Sequence, residues 1–149
     1  MSDAESKSAG RFELVVRVAR EQIDAQRHAS NVAVVDWMNQ AAIAHSAAVG
    51  YDAGAYRALG GMFVVRRHEI DYVRPALVDD ALRCVTWIER MDKASAVRRH
   101  ELWRPADGAL IARGVNHWAF VDVGSLRPMR IPAAVIAAFS GGRPGERGG

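Results

Sequence analysis

Cysteine is nearly absent. Cys84 stands alone among 149 residues, so no internal disulfide can form and no cysteine-rich metal cage can be built. It is expected to pack as a small apolar side chain. Lysine is almost as scarce, with Lys7 and Lys93 the only two among 20 basic residues. This reads as composition bias, although planar guanidinium groups also suit phosphate and carboxylate oxygens. Long apolar runs are missing as well: none approaches the roughly 20 residues that span a bilayer, and the opening "MSDAESKSAG" lacks the apolar stretch of a signal peptide. A soluble, cytoplasmic chain with no membrane partner is the expectation. Basic blocks with interleaved aromatics are absent too. The net charge of +3 comes from basic residues scattered among 17 acids, which argues against nucleic acid as a partner.

What remains is ordinary globular composition, 50% hydrophobic and 25% charged, at a length that fills one core and would starve two. One domain is expected over residues 11–140. The small, polar residues 1–10 and "GGRPGERGG" at 141–149 cannot form a core and are expected to be disordered tails.

Between the tails, "FELVVRVAR" at 12–20 alternates Phe12, Leu14, Val16 and Val18 against more polar neighbours, the period-two mark of a strand. From Val32 to Val49 the only charge is Asp36, and apolar residues cover most of a helical circumference. This predicts a helix enclosed nearly all round, with Ser30 or Asn31 as N-cap and Gly50 as the stop. Four β-branched and aromatic stretches follow, at 61–75, 81–90, 95–105 and 109–123, each bounded by turn residues. They predict a four-strand antiparallel meander. A short helix over 131–139 closes the chain, with Pro132 suited to its first turn. The fold class is therefore α+β, about five antiparallel strands wrapped around one long central helix.

The segment Asp24-Ala-Gln-Arg27-His28-Ala29-Ser30-Asn31-Val-Ala-Val34-Val-Asp-Trp37 resembles the frame Asp-x-x-Gly-His-Val-Asn-Asn-x-x-Tyr-x-x-Trp. That frame is found in the 4-hydroxybenzoyl-CoA thioesterase-like branch of the hotdog-fold thioesterases. Asp24, His28, Asn31 and Trp37 match in register. "DYVRPALVDDALRC" and "RPMRIP" resemble two further segments of that family, and the likeness runs over 12–139. Three positions depart from the frame: Arg27 stands for its glycine, Ser30 for its first Asn and Val34 for its Tyr.

The resemblance implies hydrolysis of an acyl-CoA or acyl-carrier thioester to free acid and thiol. Asp24 would be nucleophile or general base and the Asn31 backbone N–H part of the oxyanion hole, with His28 a further catalytic candidate. It also implies that Arg27 lies near the acyl group. Arg90, Lys93 and Ser95 would contact the nucleotide of coenzyme A, with Arg127 and Arg130 as weaker candidates. The resemblance implies no metal or bound cofactor, coenzyme A entering as part of the substrate, and a pocket between the subunits of a homodimer or homotetramer. Local sequence supports the same chemistry. A helix N-terminus offers free N–H groups and a positive dipole end seven residues from a carboxylate, so nucleophile and oxyanion site can share one space. The plainer alternative is that Asp24 only caps a turn.

"HEIDY" at 68–72 begins like a zinc-protease motif, but it lacks the second His and lies in a strand-like stretch, so no metal site is expected. His100, Glu101 and His117 read as solvated or interface residues. Two rival functions remain. One is a hotdog hydratase, whose Asp-x-Asn-Pro-x-His frame differs here in spacing and lacks the Asn-Pro pair. The other is a domain that binds acyl thioesters, or merely assembles, without catalysis.

Overall fold

The alternation at 12–20 holds as strand β1 only over Phe12–Arg17. Beyond it, the Val18 N–H donates to the Asp80 carbonyl (2.9 Å) and the Val18 carbonyl accepts from the Asp79 N–H (2.9 Å), and a 3₁₀ turn follows at Arg20–Gln22. The strand is thus shorter than expected because its end is tied to the 79–80 segment. A computed structural model describes residues 10–140. Of the two expected tails only Gly10, a turn residue, falls within that range; the rest lies outside the described residues.

Helix α1 spans Asn31–Ala48. Ser30 is its N-cap, with Oγ accepting from the Ala33 N–H at 3.1 Å. At the other end Gly50 has φ +102°. Its N–H donates to the Ala47 carbonyl (3.0 Å), while the Tyr51 N–H donates to the Ser46 carbonyl (2.8 Å). That pair of bonds is a Schellman cap, and it needs a residue that takes positive φ without strain. The helix is not enclosed all round: Val32 is 78% and Ile43 69% exposed, on a stripe they share with Asp36, Gln40 and Ala47. The sheet of a single chain covers only the opposite face, which buries Val34, Trp37, Met38, Ala41 and Ala42.

A second helix, α2 at Ala53–Leu59, had no counterpart in the expected order of elements. It is seven residues long, too short for a periodic pattern to register. Its boundary signals are nevertheless in the sequence: Asp52 Oδ1 accepts from the Ala55 N–H (2.8 Å), and Gly60 stops it at φ +80°. Strands β2 (Gly61–Tyr72), β3 (Ala81–Met91), β4 (Ser95–Arg104) and β5 (Ala109–Asp122) follow, then helix α3 at Ala133–Phe139. Pro132 is the N-cap of α3 and not its first helical residue.

The sheet order is β1-β3-β4-β5-β2, antiparallel throughout. The expected four-strand meander is therefore only three strands long, β3 to β5, because β2 pairs with β5 instead of β3. The link at 73–80 crosses three strand spacings, about 14 Å, well within the reach of eight residues. The crossing brings one of its residues into the core. Ala76 is buried, and its carbonyl accepts from the Ala29 N–H at 2.8 Å just ahead of α1. Close packing of helix on sheet is set by Gly114 on β5, where a Cβ would come within 3.0 Å of Met38 Sδ.

The core has two apolar parts. One gathers Val18, Val34, Trp37, Met38, Leu82 and Leu102 beneath the N-terminal half of α1. The other gathers Phe120, Ile131, Val135 and Phe139, with Tyr56 and Phe63 packed against it. Buried polar side chains lie among them: Thr86, Arg98, His100 and Asn116 on the strands and His45 and Ser46 on α1. His100, expected at the surface, is buried, because β4 alternates and places Ala96, Arg98, His100 and Leu102 inward together.

Candidate active site

Asp24 sits at the corner of a tight turn closed by an isolated bridge between Ile23 and Ala29. Its N–H donates to the His28 carbonyl (3.0 Å), and its own carbonyl accepts from the Arg27 N–H (2.9 Å). Its Oδ1 accepts from the Gln26 N–H at 2.9 Å, an Asx turn. Among the described residues nothing donates to Oδ2, and the side chain is exposed. One carboxylate oxygen therefore holds the turn while the other stays available.

Arg27 has φ +71°, the left-handed conformation that glycine adopts without strain. An arginine therefore holds a backbone conformation that favours glycine, at a cost of about 1–2 kcal/mol. The side chain points to solvent, as its exposure requires.

The turn delivers the chain to α1 with Ala29 buried and Ser30 capping. Among the described residues the Asn31 N–H, first of the helix, has no acceptor. Asn31 and His28 line a cavity of about 220 Å³, closed by Tyr72, Arg74 and Ala76 from the 73–80 crossing and the end of β2. Asp24 and Arg27 lie on the adjoining turn and not in that lining. The crossing is held by Arg104, whose Nη1 donates to the Pro75 carbonyl (3.0 Å) and to Asp80 Oδ2 (2.9 Å), while its Nε and Nη2 hold Asp107. What this end of the molecule offers is a helix N-terminus with an open donor, a small cavity and a carboxylate on the next turn. An oxyanion would be stabilised by such a donor.

Arg90, Lys93 and Ser95 come together on the β3–β4 turn. Arg90 Nε and Ser95 Oγ both donate to Asp92 Oδ2, at 3.3 and 3.4 Å. The Lys93 carbonyl accepts from the Ile131 N–H at 2.8 Å, which sets the neighbouring Arg130 beside this turn. Arg127 is exposed on the 123–130 loop. This group stands at the far end of the sheet from Asp24. Residue 80 adjoins Val18 at one end of β3, Lys93 follows the other end, and an eleven-residue strand is roughly 35 Å long. Within one chain, then, the two groups of expected site residues do not meet.

Sequence reasoning passed over the interior polar layer. Arg98 is 2% exposed, and its Nη1 donates to Thr86 Oγ1 (2.8 Å) and to His45 Nδ1 (3.1 Å). A guanidinium has no acceptor, so His45 is neutral and carries its proton on Nε2. Burial, reinforced by Arg98, lowers His45 to about 3. His100 is likewise lowered to about 3, first by burial and then by the charge of Arg98. Asn116 bridges His100 Nε2 and His68 Nδ1, each at 2.9 Å. Cys84 packs as the small apolar residue expected of it, its thiol pushed up to about 12 by burial. "HEIDY" lies on β2, and no cluster of three or more metal-ligating side chains is present among the described residues. None of the described helices is long and apolar enough to cross a membrane.

The family model of the thioesterase-like superfamily matches residues 18–139, and the chain belongs to that family. No curated protein matches it. Solved structures carry the same hotdog architecture. An oleoyl thioesterase (putative) from Lactobacillus plantarum superposes with a TM-score of 0.83 at 20% identity over 88% of this chain. This chain spans only 50% of that longer protein. A 1,4-dihydroxy-2-naphthoyl-CoA thioesterase from Synechocystis gives 0.79 at 15% identity, covering 87% of this chain and 95% of its own. A gentisyl-coenzyme A thioesterase gives 0.75 at 20% identity, covering 85% and 98%.

Proposed function

We propose that the protein hydrolyses an acyl-CoA or acyl-carrier thioester, with Asp24 as the reacting carboxylate and the Asn31 N–H as an oxyanion donor. The observation that carries this reading is the pairing of a free Asp24 Oδ2 with an unsatisfied helix N-terminus seven residues later. As general base, Asp24 takes a proton from water while the hydroxide oxygen bonds to the thioester carbon. The carbonyl oxygen becomes negative against the Asn31 N–H, and collapse of the tetrahedral species breaks the C–S bond, the thiolate taking up a proton. As nucleophile, Asp24 would bond to the carbonyl carbon itself and expel the thiolate, leaving an anhydride that water then opens. His28, in the cavity wall, would contact the substrate, and Arg27, on the adjoining turn, would border its approach.

A complete site requires a second subunit. Coenzyme A phosphates need cations, and Arg90, Lys93 and Ser95 lie too far from Asp24 in their own chain. Strand β2 is an unpaired edge, which natural sheets seldom leave open. A twofold pairing of two β2 strands sets Tyr72 of one beside Gly61 of the other, so the β3–β4 turn of one chain approaches the Asp24 end of its neighbour. A homodimer is therefore the smallest complete unit, and a homotetramer is compatible with it. The structural relatives are named for both a long aliphatic (oleoyl) and aromatic (dihydroxynaphthoyl, gentisyl) acyl groups, so both classes are candidates. A thiol-release assay over aliphatic and aromatic acyl-CoA esters tests this directly: saturable turnover supports it, and no release from any ester defeats it.

A further inference from the structure

The 73–80 crossing holds both legs of the Asp24 turn. The leg that enters the turn is tied to it at Val18, whose N–H donates to the Asp80 carbonyl and whose carbonyl accepts from the Asp79 N–H, both at 2.9 Å. The leg that leaves the turn is tied at Ala29, whose N–H donates to the Ala76 carbonyl at 2.8 Å. One nitrogen pins the two attachment points together. Arg104 Nη1 donates at 3.0 Å to the carbonyl of Pro75, next to the Ala29 contact, and at 2.9 Å to Oδ2 of Asp80, whose backbone makes the Val18 contact.

Asp80 Oδ2 also accepts from the Leu77 N–H at 2.9 Å, and the Asp80 N–H donates to the Leu77 carbonyl at 3.0 Å, so the chain between the two points is a closed turn. Arg104 makes two sets of contacts, and they are unequal. Its pair with Asp107 ends on a carboxylate that is 54% exposed, and such surface pairs contribute little. The Arg104 and Asp80 side chains are only 17% and 21% exposed, so water competes less for the Nη1 bonds. An ammonium on a flexible stem lacks the planar fork that reaches Asp107 and both crossing acceptors at once.

We propose that Arg104 is a positioning residue for thioester hydrolysis: by fixing Pro75 against Asp80 it sets the Asp24 carboxylate relative to the Asn31 N–H. This rests on the roles proposed above for those two groups. Ala29 adjoins Ser30, the cap of α1, and Val18 leads into the turn, so a shift of the crossing reaches both. The reaction needs carboxylate and N–H on one carbonyl group, and a misplacement of about 1 Å can cost about 10²-fold in rate. Arg104 bonds neither group and moves no proton.

The experiment is kinetic. On the best acyl-CoA ester, well below its melting temperature, Arg104→Met should lower kcat about tenfold or more with KM within about threefold. A partly unfolded enzyme also loses kcat, so the deciding readout is a double-mutant cycle. In the Asp24→Asn background Arg104→Met should cost less than about threefold, because no carboxylate is left to position, whereas a merely structural role predicts the same loss in both backgrounds. Asp107→Ala, which leaves the Nη1 bonds, should hold kcat within about threefold. Arg104→Lys keeps the charge and decides the matter if Arg104→Met does not fold: it should lose kcat about threefold or more, and only while Asp24 is present. Hydrogen exchange reads the geometry without turnover. In the folded Arg104 variant the Val18 and Ala29 amides should exchange about tenfold or more faster while amides of the β4–β5 ladder hold. An undiminished kcat, an equal loss in both backgrounds, a matching loss in Asp107→Ala, or exchange that rises equally in the ladder overturns this role alone. No turnover of any ester by the wild type, or a fully active Asp24→Asn protein, defeats the reading of the site and this role with it.

Discussion

Arg98 Nη1 lies 3.1 Å from Nδ1 of His45, so the central helix and the middle strand of the sheet are joined by a charged donor and a histidine that must stay neutral. This relationship ties stability to pH. His45 and His100 are both lowered to about 3 in the folded chain, against about 6.5 unfolded.

A depressed histidine stabilises fully above its unfolded value, and that contribution drains away as pH falls towards the folded value. Between pH 6.5 and 3 the unfolded chain binds the extra protons, so each histidine should cost stability at a slope of about 1.4 kcal/mol per pH unit. Urea unfolding of wild type and His100→Gln at pH 7, 6, 5 and 4.5 checks this. The wild-type curve should fall more steeply by about that slope, and parallel curves would contradict it.

Arg27 gives a second prediction. At φ +71° an arginine is strained where glycine is not, so Arg27→Gly should stabilise the chain. Part of the relief is offset by the added freedom of glycine in the unfolded chain, leaving a gain of about 0.5–1 kcal/mol, or a few degrees in Tm. If Arg27 borders the acyl path, KM should change as well while kcat holds. An unchanged Tm would mean that the arginine contributes contacts as large as its strain.

Assembly gives a third. Sedimentation at micromolar concentration should find at least a dimer, and Lys93→Ala should raise KM for an acyl-CoA ester and flatten its salt dependence with little effect on kcat. The effect of Arg90→Ala should be smaller than that of Lys93→Ala, because Arg90 already donates to Asp92 at 3.3 Å. A monomer, or a loss of kcat at unchanged KM, would contradict the shared site.

Much of this architecture is legible in the sequence where a pattern is long. Helix α1 is set by the uncharged run after Ser30 and by Gly50, and the alternation of Phe12, Leu14 and Val16 marks the inner face of β1. Pairing is less legible: nothing local says that β2 seeks β5, because strand partners are set by contacts between segments distant in sequence, such as Ala76 with Ala29. Exposure of Val32 and Ile43 was hidden for a related reason, since an apolar helix reads as enclosed whether the cover comes from its own chain or from another. The turn at Asp24 was readable through its motif, which also showed Arg27 standing for a glycine, but the left-handed backbone at Arg27 came only with the structure. Arg98 was not, because an arginine in "SAVRRHELWR" looks like a solvated strand residue until the alternation is fixed by its partners. A charge at an inward position of β4 was the one available signal.

The role of Asp24 is the central claim. Asp24→Asn keeps the Oδ1 acceptor for the Gln26 N–H and so should keep the turn and the Tm, but it removes the charge that attacks or takes water's proton. On the best acyl-CoA ester, kcat should fall by about 10² to 10⁴, more if the carboxylate is the nucleophile. Asp24→Ala, lacking the turn bond, should lose activity and also some stability. The decisive measurement is kcat of Asp24→Asn beside its melting temperature: a large fall at unchanged Tm is what the account predicts, and a fully active Asp24→Asn protein would contradict it.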